Sequence, residues 1–373
     1  MEPTLAFVEI SVPGYRYPAL VGTSLLDQIG DYTRKYLPRE RCAIISDRNV
    51  APLFADRVTK GLTSAGFQPT LIVIPAGEKS KTLEKASAIC DRMIAARLDR
   101  QSFVIGLGGG VVSDISGFVA AIYHRGISHM QIPTTLLAMV DSSIGGKTGV
   151  NAADGKNLIG AVHHPALVID DLDVLKTMPR REFNQGFAEI IKHAIIADAK
   201  MFEEIAQASS PPIGRTRPAA SLRFASETHV LQSLIRRNIE IKSKIVAKDE
   251  RDRMGERAIL NFGHTVGHAI ERAGDYRKFL HGEALSLGIV AACAISTKKA
   301  GLPADQQDAI LDLLHRFELP TQLPRNFPRQ KIFDALPHDK KFEGGKIRFV
   351  VTPRIGSARV TGDVTMEDIR QAL

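Results

Sequence analysis

The chain has 373 residues, of which 44% are hydrophobic and 24% are charged, the composition of a globular protein that is long enough for two domains. Lys and Arg exceed Asp and Glu by 49 − 41 = 8, which favours anionic small molecules as partners; the basic residues form no dense run beside stacking aromatics, and this argues against nucleic acid. Three widely spaced cysteines predict free thiols in a cytoplasmic protein, and the sequence lacks the patterns of an export signal or a membrane span.

The first half of the chain alternates between strand patterns and helix patterns. Apolar runs bounded by Gly or Asp each precede an amphipathic segment: RCAIISD before APLFADRVTKGLTSAG, TLIVIPAG before TLEKASAICDRMIAAR, and SFVIGLGGG before VSDISGFVAAIYHRG. Repeated units of this kind predict an α/β fold with a doubly wound parallel sheet and a nucleotide-binding layout.

The hydrophobic period changes after VIDDLDVLKTMP, and the later segments follow the pattern of amphipathic helices. We therefore expect an α/β domain over residues 1–178 and a mainly α-helical domain over residues 179–373. Within the second domain, SSPPIGRTRPAAS predicts a surface loop between two helices, and GKIRFVVTPRIGSARVTG predicts a hairpin.

Two glycine-rich segments of the first domain are candidate anion sites. VIGLGGGVVSD, residues 104–114, would direct backbone N–H groups at a pyrophosphate if a helix follows the glycines. It departs from the GxGxxG motif, and a strand-to-helix turn without a ligand is an equal alternative. DSSIGGKTGV, residues 141–150, lacks the first glycine of a P-loop. It presents Lys147, with Lys156 and Asn157 on a neighbouring loop, and such residues either bind a phosphate or carboxylate or simply lie at the surface.

The segment around LNFGHTVGHAIE carries polar residues at helical spacing. The spacing steps by four, three and four, so a single helix would align Arg257, Asn261, His264 and His268 on one stripe. A lone histidine here would be an ordinary core residue, whereas a stripe that includes a guanidinium needs an anionic or metal partner to offset its desolvation. The stripe therefore predicts a pocket.

A catalytic zinc site needs about three protein ligands and one open position. His264 supplies one candidate ligand, FLHGEALSLG supplies His281, and GFAEIIKHAII supplies Glu189 with Lys192 one turn later. Spacing alone leaves the grouping open, because no HExxH motif excludes His193, His268 and Glu283.

Taken together, these stretches resemble the 3-dehydroquinate synthases, the sugar phosphate cyclases that close the first ring of the shikimate pathway. The resemblance runs through PAGEKSKT, GGGVVSDISGFVAAIYHRG, IPTTLLAMVDSSIGGKTGVN, GKNLIGAVHHP, GFAEIIKHA, LNFGHTVGHAIE, HGEALSLG and HDKK, in the family's order. It implies an NAD-binding N-terminal domain, a helical C-terminal domain, an active site in the cleft between them and a homodimer.

The resemblance also implies which residues form the site. A Zn2+ or Co2+ ion would be held by Glu189, His264 and His281. NAD would be contacted by Asp47, Asn49, Glu78, Lys81, Gly109, Gly110, Asp114, Thr134, Thr135, Lys147, Lys156 and Thr177. The substrate would be contacted by Arg125, Asp141, Lys147, Lys156, Asn157, Lys192, Lys242, Arg257, Asn261, His268 and Lys341.

Two positions depart from the family's pattern. Ser113 stands where a second small residue, usually Gly, is typical. DERDRMGER is one residue longer than the usual segment, so either Glu250 or Asp252 could take the place of the family's acidic pocket residue.

The implied reaction converts 3-deoxy-D-arabino-heptulosonate 7-phosphate into 3-dehydroquinate and phosphate. It proceeds through transient oxidation by NAD, elimination of phosphate, re-reduction and an intramolecular aldol cyclisation. Arg257 and Lys341 would hold the carboxylate, Lys147 and Arg125 would hold the phosphate, and His268 would relay a proton.

Three alternatives to this reaction stay open. A sister cyclase would act on a heptulose 7-phosphate or another neutral sugar phosphate. A metal-dependent polyol dehydrogenase would release NADH stoichiometrically. A non-catalytic phosphate-binding protein would explain the lysines and glycine turns but not the metal ligands.

Overall fold

The protein is described from a computed structural model, which covers residues 5–153, 155–209, 224, 227–252, 254–336, 342–343 and 346–373. The chain forms two compact units, one of Met1–Met178 with Ile235–Arg251 and the other of Pro179–Leu234 with Asp252–Leu373. The change in hydrophobic period would place Ile235–Arg251 in the second unit. It groups with the first because tertiary contacts, not local periodicity, decide the grouping.

The first unit is built around a parallel sheet. Its strands are β1 (Ala6–Val12), β2 (Tyr15–Gly22), β3 (Arg41–Asp47), β4 (Gln68–Ile74), β5 (Phe103–Gly108), β6 (Ser128–Pro133), β7 (Lys147–Ala152), β8 (Gly155–Val162) and β9 (Leu167–Asp171). Seven of them pair in the order β1-β2-β9-β6-β5-β3-β4. Every pair from β2 to β4 is parallel, and β1 is an antiparallel edge strand. β7 and β8 form a separate antiparallel hairpin.

Helices connect the parallel strands. They are α1 (Ile29–Tyr36), α2 (Ala51–Ser64), α3 (Leu83–Ala95) and α4 (Gly110–Ile122). Shorter turns are the 3-10 helices Leu25–Gln28, Glu78–Ser80, Tyr123–Arg125 and Leu172–Thr177 and the π-helix Ala138–Ser142. Apolar side chains of β3, β4 and β5 pack with α3 and α4 in a core that includes Ile45, Ile89, Val104 and Phe118.

The strand order reverses beside β3, and this reversal defines a crevice. The chain leaves β3 through α2 to β4 on one side, and returns through α3 to β5 on the other side. Right-handed crossovers in opposite directions place helices on opposite faces and leave a gap at the carboxyl ends of the two strands, where ligands of such sheets bind. Asp47 ends β3 and Gly108 ends β5.

The second unit is mainly helical. Its helices are α5 (Arg180–Ala197), α6 (Ala199–Ala208), the start of α7 (Thr228–Lys248), α8 (His264–Ala273), α9 (His281–Ala300), α10 (Ala304–Arg316), α11 (Arg329–Ala335) and α12 (Met366–Gln371). Two antiparallel pairs join β10 (Phe342–Glu343) to β11 (Lys346–Ile347) and β12 (Phe349–Arg354) to β13 (Ser357–Thr361). The predicted C-terminal hairpin is therefore confirmed, as is the α/β fold with a parallel N-terminal sheet and a helical C-terminal part.

Two sequence expectations fall outside the described residues. They are the loop predicted from SSPPIGRTRPAAS, apart from its first residue, and the segment HDKK. Among the described residues, no helix combines the length and the apolar character needed to cross a membrane.

The single helix predicted to align Arg257 with His268 is wrong. The structure has a 3-10 helix, Glu256–Asn261, followed by a break and then by α8 from His264. Gly263 lies at the break with φ 76°, and a Cβ atom there would lie 2.9 Å from the backbone nitrogen of Ile289 in α9. The close approach of α9 and the left-handed backbone both require glycine, and this conformation ends the helix.

Candidate functional site

Helices α5, α8 and α9 bring Glu189, His264 and His281 together. Nε2 of His264 lies 3.2 Å from Oε1 of Glu189, and Nε2 of His281 lies 3.3 Å from the same oxygen. The three ligand atoms all lie within 4.8 Å of one another. One carboxylate and two imidazoles at this spacing form a donor set that suits Zn2+ or Co2+ and leaves a position open for substrate.

The contact between α5 and α9 explains how residues distant in the chain converge. Gly282 donates its backbone N–H to Oε1 of Gln185, at 3.1 Å. A Cβ atom at Gly282 would lie 2.1 Å from the backbone oxygen of Gln185. Only glycine allows the first turn of α9 to lie against α5, and this packing places His281 beside Glu189 one turn further along α5.

Lys192 controls the charge of the site. Its Nζ lies 2.5 Å from Oε2 of Glu189, and both side chains are almost fully buried. Burial alone would raise the pKa of Glu189, but the ammonium of Lys192 and the imidazoles of His264 and His281 together outweigh burial and hold that pKa well below its usual range. Burial and the same ammonium lower the pKa of His264 to about 3. Glu189 is thus ionised and His264 neutral, the forms that bind metal.

His281 lies between two carboxylates. Its Nδ1 is 3.3 Å from Oε2 of Glu271, and its Nε2 faces Glu189. Burial would lower the pKa of His281, but these two carboxylates outweigh burial and raise it to about 10. The negative potential at this position attracts a cation.

Two of the residues that compete with this set are now located. His268 groups with Glu271 and His281 in a second possible metal-binding set, although the side chain of His268 is exposed. Glu283 instead accepts two hydrogen bonds from Arg181, at 2.6 and 2.7 Å.

The glycine turn of the first unit joins β5 to α4. A Cβ atom at Gly109 would lie 3.1 Å from the side chain of Thr135, and one at Gly110 would lie 3.2 Å from Oγ of Ser142. No side chain caps the N-terminus of α4, so its first N–H groups can bind an anion. Within the described residues, the buried hydroxyls of Ser113, Thr134 and Ser142 have no hydrogen-bond partner. These features fit the pyrophosphate of a dinucleotide.

A buried ion pair lies in the same unit. Nζ of Lys81 is 2.6 Å from Oδ2 of Asp114 and 3.6 Å from Oε1 of Glu78. Burial would lower the pKa of Lys81, but the two carboxylates raise it. Asn151 donates from Nδ2 to Glu78, at 2.8 Å. Three predicted NAD contacts thus belong to one network.

A second ion pair joins two predicted substrate contacts. Nζ of Lys242 lies 2.5 Å from Oδ1 of Asp141 and 2.7 Å from its backbone oxygen, across 101 residues of sequence. Nearby in the sequence, Oε1 of Glu250 lies 2.8 Å from Nε2 of His164. Glu250 belongs to the first unit and Asp252 to the second.

The remaining predicted NAD contacts lie at the ends of elements. Oδ1 of Asp47 accepts hydrogen bonds from the backbone N–H groups of Asn49 and Val50, at 2.8 and 3.1 Å, before α2. Thr177 ends the 3-10 helix Leu172–Thr177.

Lys147, Lys156 and Asn157, the predicted anion-binding residues, do not lie on neighbouring loops as expected. Lys147 is the first residue of β7, whereas Lys156 and Asn157 lie in β8. They therefore sit on the two strands of one hairpin and not on neighbouring loops, because GKTGVN and GKNLIGAV pair with each other. Arg125 is exposed with φ 68°.

Two further predicted residues belong to the second unit. Arg257 is 5% exposed, and it shares the 3-10 helix with Asn261. Lys341 lies outside the described residues.

Two residues near these groups were not found from the sequence. Glu271 follows His268 by three residues, and this helical spacing could have identified it as a neighbour of the predicted site. Asn151 had no such signal, because its contact with Glu78 spans 73 residues.

Comparison with known protein families gives matches over most of the chain. The family described as "3-dehydroquinate synthase N-terminal" matches residues 71–185, and "3-dehydroquinate synthase C-terminal" matches residues 186–342. A 3-dehydroquinate synthase of Symbiobacterium thermophilum is 44% identical over 361 residues, which cover 96% of this chain and 97% of the relative. One of Desulforamulus reducens is 41% identical over 366 residues, which cover 98% and 99%.

Solved structures share the fold. ValA, a 2-epi-5-epi-valiolone synthase from Streptomyces hygroscopicus subsp. jinggangensis with NAD+ and Zn2+ bound, matches with a TM-score of 0.82 and 27% identity over 97% of each chain. A 2-deoxy-scyllo-inosose synthase complexed with carbaglucose-6-phosphate, NAD+ and Co2+ matches with a TM-score of 0.85 and 23% identity over 98% of each chain.

Proposed function

The chain belongs to the 3-dehydroquinate synthase family, and from this membership we propose how its residues carry out the family's reaction. The enzyme is a phosphate-eliminating cyclase that converts 3-deoxy-D-arabino-heptulosonate 7-phosphate into 3-dehydroquinate and phosphate. The observation that supports this reaction most strongly is that Nε2 of His264 and Nε2 of His281 both lie beside one oxygen of Glu189. Relatives of this activity are 41% and 44% identical to the chain, against 23% and 27% for two cyclases with other names.

The metal site would be formed by Glu189, His264 and His281. A bound Zn2+ or Co2+ would lower the pKa of a substrate hydroxyl, and bound NAD would take a hydride from the substrate and later return it. Lys192 keeps Glu189 ionised as a ligand, since its ammonium lies 2.5 Å from the second carboxylate oxygen. The side chains of Lys192 and Glu189 are 2% and 0% exposed, so this ion pair would be shielded from water.

NAD would lie at the crevice between the carboxyl ends of β3 and β5. The uncapped N-terminus of α4 and the buried hydroxyls around it support a pyrophosphate there. We propose as its contacts Asp47, Asn49, Glu78, Lys81, Gly109, Gly110, Asp114, Thr134, Thr135, Lys147, Lys156 and Thr177.

The substrate carries a phosphate and a carboxylate, and the proposed contacts supply matching charge. Lys147 would hold the phosphate, and Arg257, with its planar guanidinium, would hold the carboxylate. His268 would relay a proton in the cyclisation. The other proposed contacts are Arg125, Asp141, Lys156, Asn157, Lys192, Lys242, Asn261 and Lys341.

We further propose a cytoplasmic homodimer. Apolar side chains are exposed on two strands of the first unit, where Phe7 of β1 is 55% exposed and Leu158 of β8 is 47% exposed. A second copy of the chain would cover such surface, and Arg125 would then reach the substrate of the partner subunit. The free thiols of Cys42, Cys90 and Cys293 accord with a reducing compartment.

A phosphate-release assay tests the proposed reaction. With Zn2+ and substoichiometric NAD, we expect the purified chain to release phosphate from the heptulosonate 7-phosphate over many turnovers without net NADH. The hydride returns to the substrate within each turnover, so the cofactor is not consumed. The variant His264→Ala is the matched control, and it should lose both bound Zn2+ and phosphate release.

The same assay separates the alternatives. Phosphate release from a neutral heptulose 7-phosphate alone would assign the chain to a sister cyclase. Reduction of the added NAD to NADH that is not reoxidised would assign it to the polyol dehydrogenases. Either result would contradict the proposed reaction.

A further inference from the structure

A second carboxylate lies behind the proposed metal ligands. Glu271 belongs to α8, seven residues after His264, and its side chain is 6% exposed. Oε2 of Glu271 lies 3.3 Å from Nδ1 of His281. A carboxylate is costly to bury, and this contact is one that offsets the cost.

The two nitrogens of His281 face different partners. Nε2 points at Oε1 of Glu189, and Nδ1 points at Glu271. A neutral imidazole carries its proton on one nitrogen and a lone pair on the other. When a metal ion takes the place of the Nε2 proton and Glu271 accepts the proton of Nδ1, the lone pair of Nε2 faces Glu189 and His264.

His264 follows the same arrangement through a different acceptor. Its Nδ1 lies 3.2 Å from the backbone oxygen of Phe262, and its Nε2 lies 3.2 Å from Oε1 of Glu189. A carbonyl oxygen can only accept, so the proton of His264 is on Nδ1 and its lone pair is on Nε2. Both imidazoles therefore present Nε2 to the same point.

We infer that Glu271 is the positioning residue of His281: it accepts the Nδ1 proton and fixes the ring so that Nε2 can bind the metal ion. This inference rests on the proposed metal site and adds a residue that acts on the ion through His281. Acceptors behind metal-binding histidines typically fix the tautomer and the ring orientation and raise ligand basicity.

The competing arrangement makes Glu271 a direct ligand together with His268 and His281. It would use Nδ1 of His281 and leave Glu189 without its second imidazole. Glu189 is 0% exposed and already faces both Nε2 atoms, whereas His268 is an exposed residue. The buried set therefore carries the ion, and Glu271 supports it.

The Zn2+ affinity of the metal-free full-length protein tests this role, measured by competition with a chromophoric chelator. Glu271→Gln keeps the size and an acceptor oxygen but loses the charge, and we expect Zn2+ binding about 10-fold weaker, with about 100-fold for Glu271→Ala. Glu367→Gln is the matched control, because it removes the same charge from a residue of α12 whose side chain is 64% exposed. It should bind Zn2+ like the wild type.

The outcomes separate the inference from the proposed function. If the wild type binds Zn2+ tightly and Glu271→Gln binds it with the same affinity, the positioning role alone is overturned. A wild type without Zn2+ affinity would overturn the metal site and the inference together. His268→Ala should leave Zn2+ affinity unchanged, and a loss as large as that of His264→Ala would make Glu271 a ligand and overturn its positioning role.

A measurement on the wild type covers the case in which the Glu271 variants fail to fold. In the Zn2+-loaded protein, the ring nitrogens of His281 can be distinguished by 15N–1H correlation spectroscopy. We expect the proton on Nδ1 and none on Nε2. A proton on Nε2 would overturn the inference.

Discussion

At the scale of single residues, the candidate site depends on buried lysines that each lie beside a carboxylate. Lys192 is 1% exposed, Lys81 3% and Lys242 5%, and an unpaired ammonium at such depth would cost several kcal/mol. The resemblance to the family predicted these three lysines as site residues. The sequence placed Lys192 one turn after Glu189, but it did not predict the partners of Lys81 and Lys242, because these lysines meet their partners across 33 and 101 residues and only the tertiary fold brings them together.

Asp170 is a buried carboxylate of a different kind. It is 0% exposed, and in the described part of the chain neither of its oxygens has a hydrogen-bond partner. Burial therefore raises the pKa of Asp170 well above its usual value. The folded protein keeps on Asp170 the proton that the unfolded chain releases near pH 4. The stability that comes from this bound proton is therefore complete below about pH 4, and it is lost as the pH rises toward the pKa of Asp170 in the folded protein.

The variant Asp170→Asn should remove this pH dependence, since the amide stays neutral. We expect its free energy of unfolding to exceed that of the wild type at pH 8, by about 1.4 kcal/mol for each unit by which burial raises the pKa of Asp170, and to approach it near pH 4. Urea unfolding at both pH values measures the difference. Equal pH profiles for the two proteins would contradict a buried neutral Asp170.

The neighbouring Asp171 provides the control. Its Oδ2 accepts from the backbone N–H of Leu26 at 2.9 Å, and its Oδ1 accepts from that of Asp173 at 3.1 Å. An amide has only one acceptor oxygen, so Asp171→Asn should lower the free energy of unfolding by about 1–3 kcal/mol at pH 8, a change of opposite sign to that of Asp170→Asn.

At the scale of elements, the sequence predicted the regular segments well and their breaks poorly. The strands β3, β4 and β5 and the helices α2, α3 and α4 follow from apolar runs and amphipathic periods. The break at Gly263 does not, because the i, i+4 spacing of His264 and His268 continues the pattern of Arg257 and Asn261. Its cause is the close approach of α9, which a local pattern does not contain.

The contact between α8 and α9 gives a prediction at this scale. A Cβ atom at Gly288 would lie 2.0 Å from the backbone oxygen of Gly263 and 2.8 Å from the nitrogen of Gly267. Gly288→Ala must therefore push apart the helices that carry His264 and His281. We expect a loss of about 1–3 kcal/mol in the free energy of unfolding, as in other overpacked cores, together with weaker Zn2+ binding.

Urea unfolding and chelator competition measure both effects of Gly288→Ala. Gly362→Ala is the matched control, because a Cβ atom there meets nothing within 4 Å, and it should leave both quantities near their wild-type values. A Gly288→Ala protein that also retains both values would show that the helix spacing does not set the metal site.

At the scale of the whole molecule, the family matches run across both units, from residue 71 to residue 342. The motifs predicted this family from the sequence alone. They did not predict that Ile235–Arg251 groups with the first unit, where it brings Lys242 to Asp141, because no local pattern distinguishes this part of α7 from the helices of the second unit. The resemblance to the family thus identified the candidate site residues, whereas their hydrogen-bond and ion-pair partners follow only from the tertiary fold.

The proposed reaction depends on a single divalent ion held by one carboxylate and two imidazoles. Anomalous diffraction from crystals of the Zn2+-loaded protein tests it most directly. We expect a zinc peak about 2.0–2.2 Å from an oxygen of Glu189 and from Nε2 of His264 and of His281. A peak coordinated by His268 and Glu271 instead, or no peak at Glu189, would contradict it.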